Sequence, residues 1–570
     1  MIKKDPAISI KTITKTIWVV YAFLSICVTV FLVNRLLTRD YSAISQSISL
    51  NDDWNVTINT DTYQNISLDH FTFPITNRGD EITLQRILPD NFFLAEGVLR
   101  LFIHHTAVNI YIDDELIYEY GHDRIAQNKT VGSGYLFFDF PHEYQGKMLK
   151  ISFSVFEDNA FTTLDPIHIY EWRNAYKVIL TENRVPLFVG CFLTIFGIVT
   201  CCITVFALVF SWKYLRILCI SMFSVCMGLW TLCYYNILII FAIPLHSACL
   251  IEYLSLYLAP IPLIIYLRDD VITLDSKVMR MIYRILLTVQ IAATTIMIIL
   301  HATDIAHCAT TLKYMHILVI CHLIYFIIVE LLNLKSSRHL IHTLFLLGII
   351  VLSGCIAYDL IYYRLSRYYG KSIASVKGVT SLGLVVFIFI LLISFYISLT
   401  QNIMLETERA FLIKSAYTDE LTQIHNRRYC MEYMSQIKDK NEPHYTIFCF
   451  DLNNLKTMND TYGHSMGDIL IKSAADVIAE TFEAHGIVAR IGGDEFIAII
   501  GIDDDDQIAS LLRAFEINID KKNQEIPDLH LSIAYGHASC HAAENNIEKA
   551  YQLADDRMYE NKIKSKAHRV

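Results

Sequence analysis

Apolar positions divide the chain into three regimes. The first consists of uninterrupted apolar runs, Ile17 to Val33 and then Val185 to Phe210, Ile217 to Tyr235, Cys249 to Leu267, Ile285 to Leu300, Tyr314 to Leu332, Leu340 to Tyr362 and Val379 to Leu399. Each is close to the length at which a helix crosses a hydrocarbon core of about 30 Å. The second regime is the stretch 40–180, where apolar and polar residues alternate, as in Val98-Leu99-Arg100-Leu101-Phe102-Ile103, Val108 to Ile112 and Met148 to Phe156. A period of two predicts half-buried strands, and Asp113-Asp114 ahead of Leu116-Ile117-Tyr118 predicts a hairpin between two of them. The third regime begins near Thr418, where helix-like and strand-like stretches alternate in a soluble composition. Gln401 to Ala416 has no Pro or Gly, so the last apolar helix is predicted to run on as a stalk.

Charge sets the expected topology. Eight crossings place both termini on one side, and Lys213, Arg216, the segment Arg268 to Arg284, Lys335 and Arg338 mark that side as cytoplasmic. The alternating region then lies outside. The loop with Arg364, Arg367, Lys371 and Lys377 falls on the outer side, against the positive-inside tendency. The first run follows Lys3, Lys4, Lys11 and Lys15, and the absence of a small-residue cleavage site in Asn34-Arg35-Leu36-Leu37 favours a retained anchor over a signal peptide. The expected organisation is a multi-domain membrane protein: a cytoplasmic N-terminus and first transmembrane helix (1–39), an all-β outer sandwich (40–180), an all-α seven-helix region (185–400), a stalk (401–417) and a C-terminal α/β domain (418–570).

Composition agrees. Hydrophobic residues are 54% of 570 and charged residues 18%, which suits a bilayer partner, and a net charge of -10 excludes a general nucleic-acid binder. Of 14 cysteines, eleven lie between Cys27 and Cys355 in or beside apolar segments, with no CxxC pairing, so they read as packing residues.

Candidate chemistry concentrates in the last regime. Tyr445 to Phe450 reads as a buried strand ending on Asp451, while Ile487 to Ile491 and Phe496 to Ile500 read as strands joined through Gly492-Gly493-Asp494-Glu495. The glycines are expected to supply positive φ to a tight turn and to let a bulky ligand approach. Asp451, Asp494 and Glu495 then converge, as divalent magnesium at a triphosphate requires. The aspartate run Asp503 to Asp506 lacks the spacing of a calcium loop and reads as a helix start. Within the apolar runs, Glu252 and Asp359 are costly to bury and are candidates for intramembrane ligand or proton sensing.

The motif Arg490-Ile491-Gly492-Gly493-Asp494-Glu495-Phe496 resembles the signature of the GGDEF family, the diguanylate cyclases. Other motifs of that family recur in order: Asp419-Glu420-Leu421-Thr422 with Asn426-Arg427-Arg428, Asp451-Leu452-Asn453-Asn454-Leu455-Lys456, Asn459-Asp460, Gly463-His464-Ser465-Met466-Gly467-Asp468, and Ala554-Asp555 with Tyr559 and Lys562. The resemblance covers about the last 150 residues. It implies a palm-like fold with a central antiparallel sheet and condensation of two GTP into cyclic di-GMP with release of two pyrophosphates. It further implies two magnesium ions per site, replaceable by manganese, on Asp451, Asp494 and the Leu452 carbonyl; Glu495 either joins the metal or assists deprotonation of the 3′-hydroxyl. Asn459 and Asp468 match guanine-reading positions, with Asp468 also read as an acid at the start of a helix Ile469 to Phe482. Leu455 and Lys456 fall among substrate positions, and Lys562 and Lys566 among phosphate positions, with Lys566 replacing a usual arginine.

An inhibitory product site, Arg-x-x-Asp in many relatives, falls on Glu483 and Gly486 and is absent. The outer region resembles the jelly-roll-like sensor domains of bacterial seven-helix receptors. Two facing active sites imply a homodimer, with an unidentified small-molecule or protein signal acting on the outer domain or the bundle. The competing readings are a silent module that binds GTP or cyclic di-GMP, and a membrane ligand receptor with secondary cyclase activity.

Overall fold

A computed structural model of the chain describes residues 47–567, apart from 69–70, 72, 91–96, 141–143, 159–163, 336–338, 370–377, 441–443 and 527–529. The expected first helix (Ile17 to Val33), Lys371 and Lys377 lie outside the described residues, as do the side chains of Arg364, Arg367 and Lys566. The chain separates into two compact units, residues 1–399 and 400–570.

The first unit opens with two sheets. One has four strands in the order β1 (Ser47–Ser49), β10 (His168–Glu171), β5 (Gly97–His104), β8 (Ser133–Asp139). The other has six: β3 (Asp61–Ile66), β2 (Trp54–Ile58), β4 (Glu81–Ile87), β9 (Met148–Val155), β6 (Thr106–Ile112), β7 (Glu115–Tyr120). Every pairing is antiparallel. Strict in–out alternation along β4, β8 and β9 buries one face of each, and Leu84, Ile151 and Phe153 of one sheet share a core with Leu99, Leu101 and Phe138 of the other. Asp113 and Asp114 join β6 to β7 with φ of 49° and 67°, the two left-handed positions of a two-residue hairpin.

Among the described residues, seven helices are long and apolar enough to cross a membrane: Arg184–Leu208, Trp212–Tyr234, Leu245–Thr273, Lys277–Ala302, Cys308–Asn333, Leu340–Tyr362 and Val379–Tyr417. They coincide with the seven apolar runs after Val33. The third is built of consecutive helical pieces, Leu245–Leu258, Pro260–Tyr266 and Arg268–Thr273, because Pro260 and Pro262 lack the amides a continuous helix needs. Gly190, Gly197 and Gly228 let the first two of these helices approach so closely that a β-carbon at Gly228 would lie 2.6 Å from the Thr194 amide nitrogen. The cysteines among the described residues are free, and many pack in these helices.

Val379–Tyr417 is one helix of 39 residues, so the expected stalk continues it without a break. The second unit has a five-stranded sheet in the order β11 (His425–Asn426), β13 (Gly486–Arg490), β14 (Glu495–Ile500), β12 (Thr446–Leu452), β15 (Ile533–Ser539), antiparallel except for β11 against β13. All seven residues of β12 are buried. Phe448, Phe450 and Leu452 face a core with helices His464–Phe482 and Asp505–Glu525, whereas Ile447 and Cys449 face one with Arg427–Lys440 and Ile547–Ala567. The α/β expectation therefore holds.

Candidate active site

Register brings the carboxylates together. In the β12–β14 ladder Asp451 lies directly opposite Glu495, so the two share the face covered by helix Ile547–Ala567. Like charges at opposed positions repel. Asp451 is buried, at 6% exposure, and its Oδ1 meets Lys562 Nζ of that helix at 2.5 Å. Asp494 is half-buried, and its carbonyl accepts the Leu452 amide at 2.9 Å, which ties the turn to the end of β12.

The turn differs from its expected form. Neither Gly492 nor Gly493 adopts positive φ. A β-carbon at Gly492 would lie 2.6 Å from Oε2 of the exposed Glu495, which would have to turn aside, and Gly493 faces open space. Arg490, the last residue of β13, fixes the turn: Nε donates to the Gly492 carbonyl at 3.1 Å, Nη2 to the Gly493 carbonyl at 2.7 Å and Nη1 to Asp419 Oδ1 at 3.1 Å. Asp419 also accepts from the Thr422 amide and hydroxyl at 2.9 and 2.7 Å. Partial burial alone raises its pKa, but the bonds from Thr422 and Arg490 outweigh it and hold the carboxyl below the ordinary value. The sequence reading used Arg490 and Asp419 as signature letters and missed this clamp; an Arg two residues before a glycine pair is the signal that points to it.

Asn459 sits on helix Leu455–Tyr462 and Asp468 on helix His464–Phe482. The chain reverses between them at Gly463, with φ of 83°. The second helix therefore starts at His464, and Asp468 lies in its second turn rather than at its N-terminus. The expectation placed Asp468 at the start of a helix Ile469 to Phe482, but Gly467 lies inside the helix and is buried against Asn459, where a β-carbon would collide with Oδ1. Asp468 and Lys456 are exposed, and Leu455 is half-buried and packs against the core beneath. Glu495 is exposed beside the buried Asp451. At the absent product site, Glu483 opens a short 3-10 turn, and a β-carbon at Gly486 would strike the Ile499 carbonyl. Asp504 caps helix Asp505–Glu525 by accepting the Gln507 amide at 3.0 Å, as the acidic run predicts.

Residues 416–568 match the family model "Diguanylate cyclase, GGDEF domain". They form a GGDEF domain. Among curated relatives, the probable diguanylate cyclase DgcT of Escherichia coli K12 is 26% identical over 223 residues, which are 38% of this chain and 47% of that protein. The diguanylate cyclase DgcN of the same strain is 28% identical over 165 residues, 28% of this chain and 40% of that protein. The chain thus spans less than half the length of these relatives. Among solved structures, the coiled coil and GGDEF domain of DgcB from Caulobacter crescentus, in complex with c-di-GMP, is 23% identical over 29% of this chain and 90% of that one, with a TM-score of 0.27.

The two acidic candidates of the apolar helices, Glu252 and Asp359, belong to the first unit. Asp359 Oδ2 accepts the Thr380 amide at 2.7 Å, at the head of the last helix. Glu252 is half-buried in Leu245–Leu258 and has no hydrogen-bond partner among the described residues. Sequence reading missed a buried network: His342 Nδ1 lies 2.6 Å from Glu330 Oε2, and Asn333 Nδ2 donates to the Asp270 carbonyl at 2.9 Å, while Arg216 Nη2 meets the Asp270 carboxylate at 3.0 Å. Its members come from different helices, so no local pattern announces them.

Proposed function

We propose that the GGDEF domain condenses two GTP molecules into cyclic di-GMP with release of two pyrophosphates, under control of a signal received by the outer sandwich or the helices. The carrying observation is the opposition of Asp451 and Glu495 across one ladder, with Asp494 at the adjoining turn. Among the described residues a single ammonium, Lys562, faces this group of carboxylates, and a cation that joins them accounts for the remaining negative charge.

The donor set fits magnesium, with manganese as substitute, because carboxylates of Asp451, Asp494 and Glu495 and the Leu452 carbonyl are hard oxygen ligands. When bound, two such ions supply a lowered hydroxyl pKa and neutralise charge at the α-phosphate. The chain's own groups do the rest. Lys562 exchanges Asp451 for a phosphate oxygen, joined by Lys456 and Lys566, while Leu455 supports the head of the helix that presents Lys456. Asn459 and Asp468 receive guanine; a carboxylate accepts N1–H and N2–H together, and adenine offers no such pair. Exposed Glu495 either takes the 3′-hydroxyl proton or completes the metal ligands.

One GTP per site means that the product forms between two domains, so the working unit is a homodimer. GTP supply places the domain in the cytoplasm and the helices in the cell membrane. Without the Arg-x-x-Asp pair, Glu483 and Gly486 give no product brake by that route.

The test is turnover of the full chain in nanodiscs with GTP and magnesium. The expected result is one cyclic di-GMP and two pyrophosphates per two GTP, abolished in Asp494→Asn with the fold retained. GTP binding without product overturns the reading in favour of a silent module.

A further inference from the structure

The end of the five-stranded sheet remote from the carboxylates carries a second cluster that the cyclase chemistry does not use. His444 precedes β12, Asp503 follows β14 and His541 follows β15. Because β12 lies between the other two strands, the topology delivers all three residues to one edge. His444 Nδ1 donates to Asp503 Oδ2 at 2.8 Å, and His541 Nε2 lies 2.9 Å from the same oxygen. The three ligand atoms all fall within 4.8 Å of one another.

An ionised carboxylate only accepts, so both ring nitrogens aimed at this oxygen carry protons. Two imidazole N–H groups converge on this oxygen, which also accepts from the Cys540 thiol at 3.8 Å, and the pair of imidazoles marks the place that a divalent cation takes when they bind as neutral ligands. The anchoring is firm: the Cys540 amide donates to the Tyr445 carbonyl at 2.8 Å and Thr446 Oγ1 to the Ile502 carbonyl at 2.6 Å, which pins the three strand ends beside the cluster. A tetrahedral zinc with bonds of about 2.0–2.1 Å needs ligands roughly 3.3–3.5 Å apart. The two nitrogen–oxygen contacts, 2.8 and 2.9 Å, reach that by opening about half an ångström, and the imidazoles, 65% and 66% exposed, have solvent room to turn about their bonds to Asp503.

We propose that His444, Asp503 and His541 form a zinc site that clips the ends of three strands together, with a fourth position left to water. Two imidazoles and one carboxylate select Zn2+ over Mg2+ or Ca2+, which take oxygen ligands. The site is separate from the carboxylates that hold magnesium in the cyclase reading.

The experiment uses the full chain in nanodiscs, stripped with a chelator and dialysed against Zn2+ in excess Mg2+, so that the hard-oxygen site is loaded. Zinc per chain is measured by plasma mass spectrometry, and Co2+ is added separately to read tetrahedral visible absorption. One zinc is expected per wild-type chain, with none in the His444→Ala/His541→Ala double variant and at least tenfold weaker binding in Asp503→Asn, which keeps its hydrogen bonds. Zinc is expected to raise the melting temperature of the wild type alone. Absence of zinc from the wild type, or an undiminished zinc content in a folded double variant, overturns the proposal.

Discussion

Replacing Arg490 with alanine tests whether one guanidinium holds the catalytic turn. The substitution removes three charge-assisted bonds, to the carbonyls of Gly492 and Gly493 and to Asp419. Each is worth about 1.5–3 kcal/mol when sheltered. The Arg490 side chain is 14% exposed and that of Asp419 24%, so water replaces part of the loss, and the net destabilisation of the unit is about 2–4 kcal/mol.

The effect on turnover is larger in kind. Without Arg490 the turn keeps the Ile491 and Gly492 amides, which donate to the Glu495 carbonyl at 3.0 and 3.4 Å, and the Leu452 amide, which donates to the Asp494 carbonyl at 2.9 Å. The two glycines ahead of Asp494 then lose their brace, and a displacement of its carboxylate by about 1 Å costs about 100-fold in rate. Arg490→Lys keeps the charge but not the fork, so it is expected to recover most of the stability and still lose at least about tenfold in turnover. The assay pairs kcat for GTP with thermal melting of the same preparations. An alanine variant with kcat within about twofold of wild type and an unchanged melt refutes the reasoning.

Gly467→Ala is expected to leave melting within about 1 kcal/mol, since alanine suits a helix, while the displaced Asn459 raises KM for GTP and narrows the preference over ATP; unaltered kinetics count against Asn459 as a base reader. Lys562→Met strands buried Asp451 and is expected to cost about 1–3 kcal/mol in magnesium-free buffer, recovered on adding magnesium, as melting with and without the ion shows. Burial depresses the pKa of His105 to about 4 against an ordinary 6.5, so the unfolded chain binds this proton first; stability is complete above pH 6.5 and falls toward pH 4 by about 3 kcal/mol. Denaturant titrations over that range check it, with His105→Gln flattening the slope. Glu330→Ala leaves buried His342 without its carboxylate and is expected to cost about 3 kcal/mol, whereas Glu330→Leu with His342→Leu restores the melt.

What the sequence conveyed depended on how far apart the partners lie. Period-two alternation identifies β5, β6, β7 and β9, and apolar length identifies seven helices, because both signals are local. Contiguous letters likewise place Asp494 and Glu495 at the end of β14. The conformation of Gly492 and the role of Gly467 were not legible, because a glycine signals permitted freedom without saying whether backbone angle or space requires it. Nor was the partner of Asp451: Lys562 arrives on the last helix, and only the packing of that helix over β12 selects it from the other lysines nearby. The pairs Glu330–His342 and His444–Asp503 fail to register in the sequence for the same reason.

The Lys562–Asp451 pair also bears on how the proposed cyclase loads its site. Asp451 stands at the end of a fully buried strand, opposite Glu495, and needs a compensating charge whenever the site lacks ligand. Lys562 supplies it at 2.5 Å. A free cation competing for Asp451 must displace this ammonium and leave it without a carboxylate, which lowers cation affinity by the strength of the ion pair. A cation that arrives with a triphosphate meets a different balance, because the released ammonium gains a phosphate oxygen as its new partner. On the proposed cyclase reading, nucleotide and metal are therefore expected to bind more tightly together than separately, with Lys562 serving the empty and the loaded site in turn.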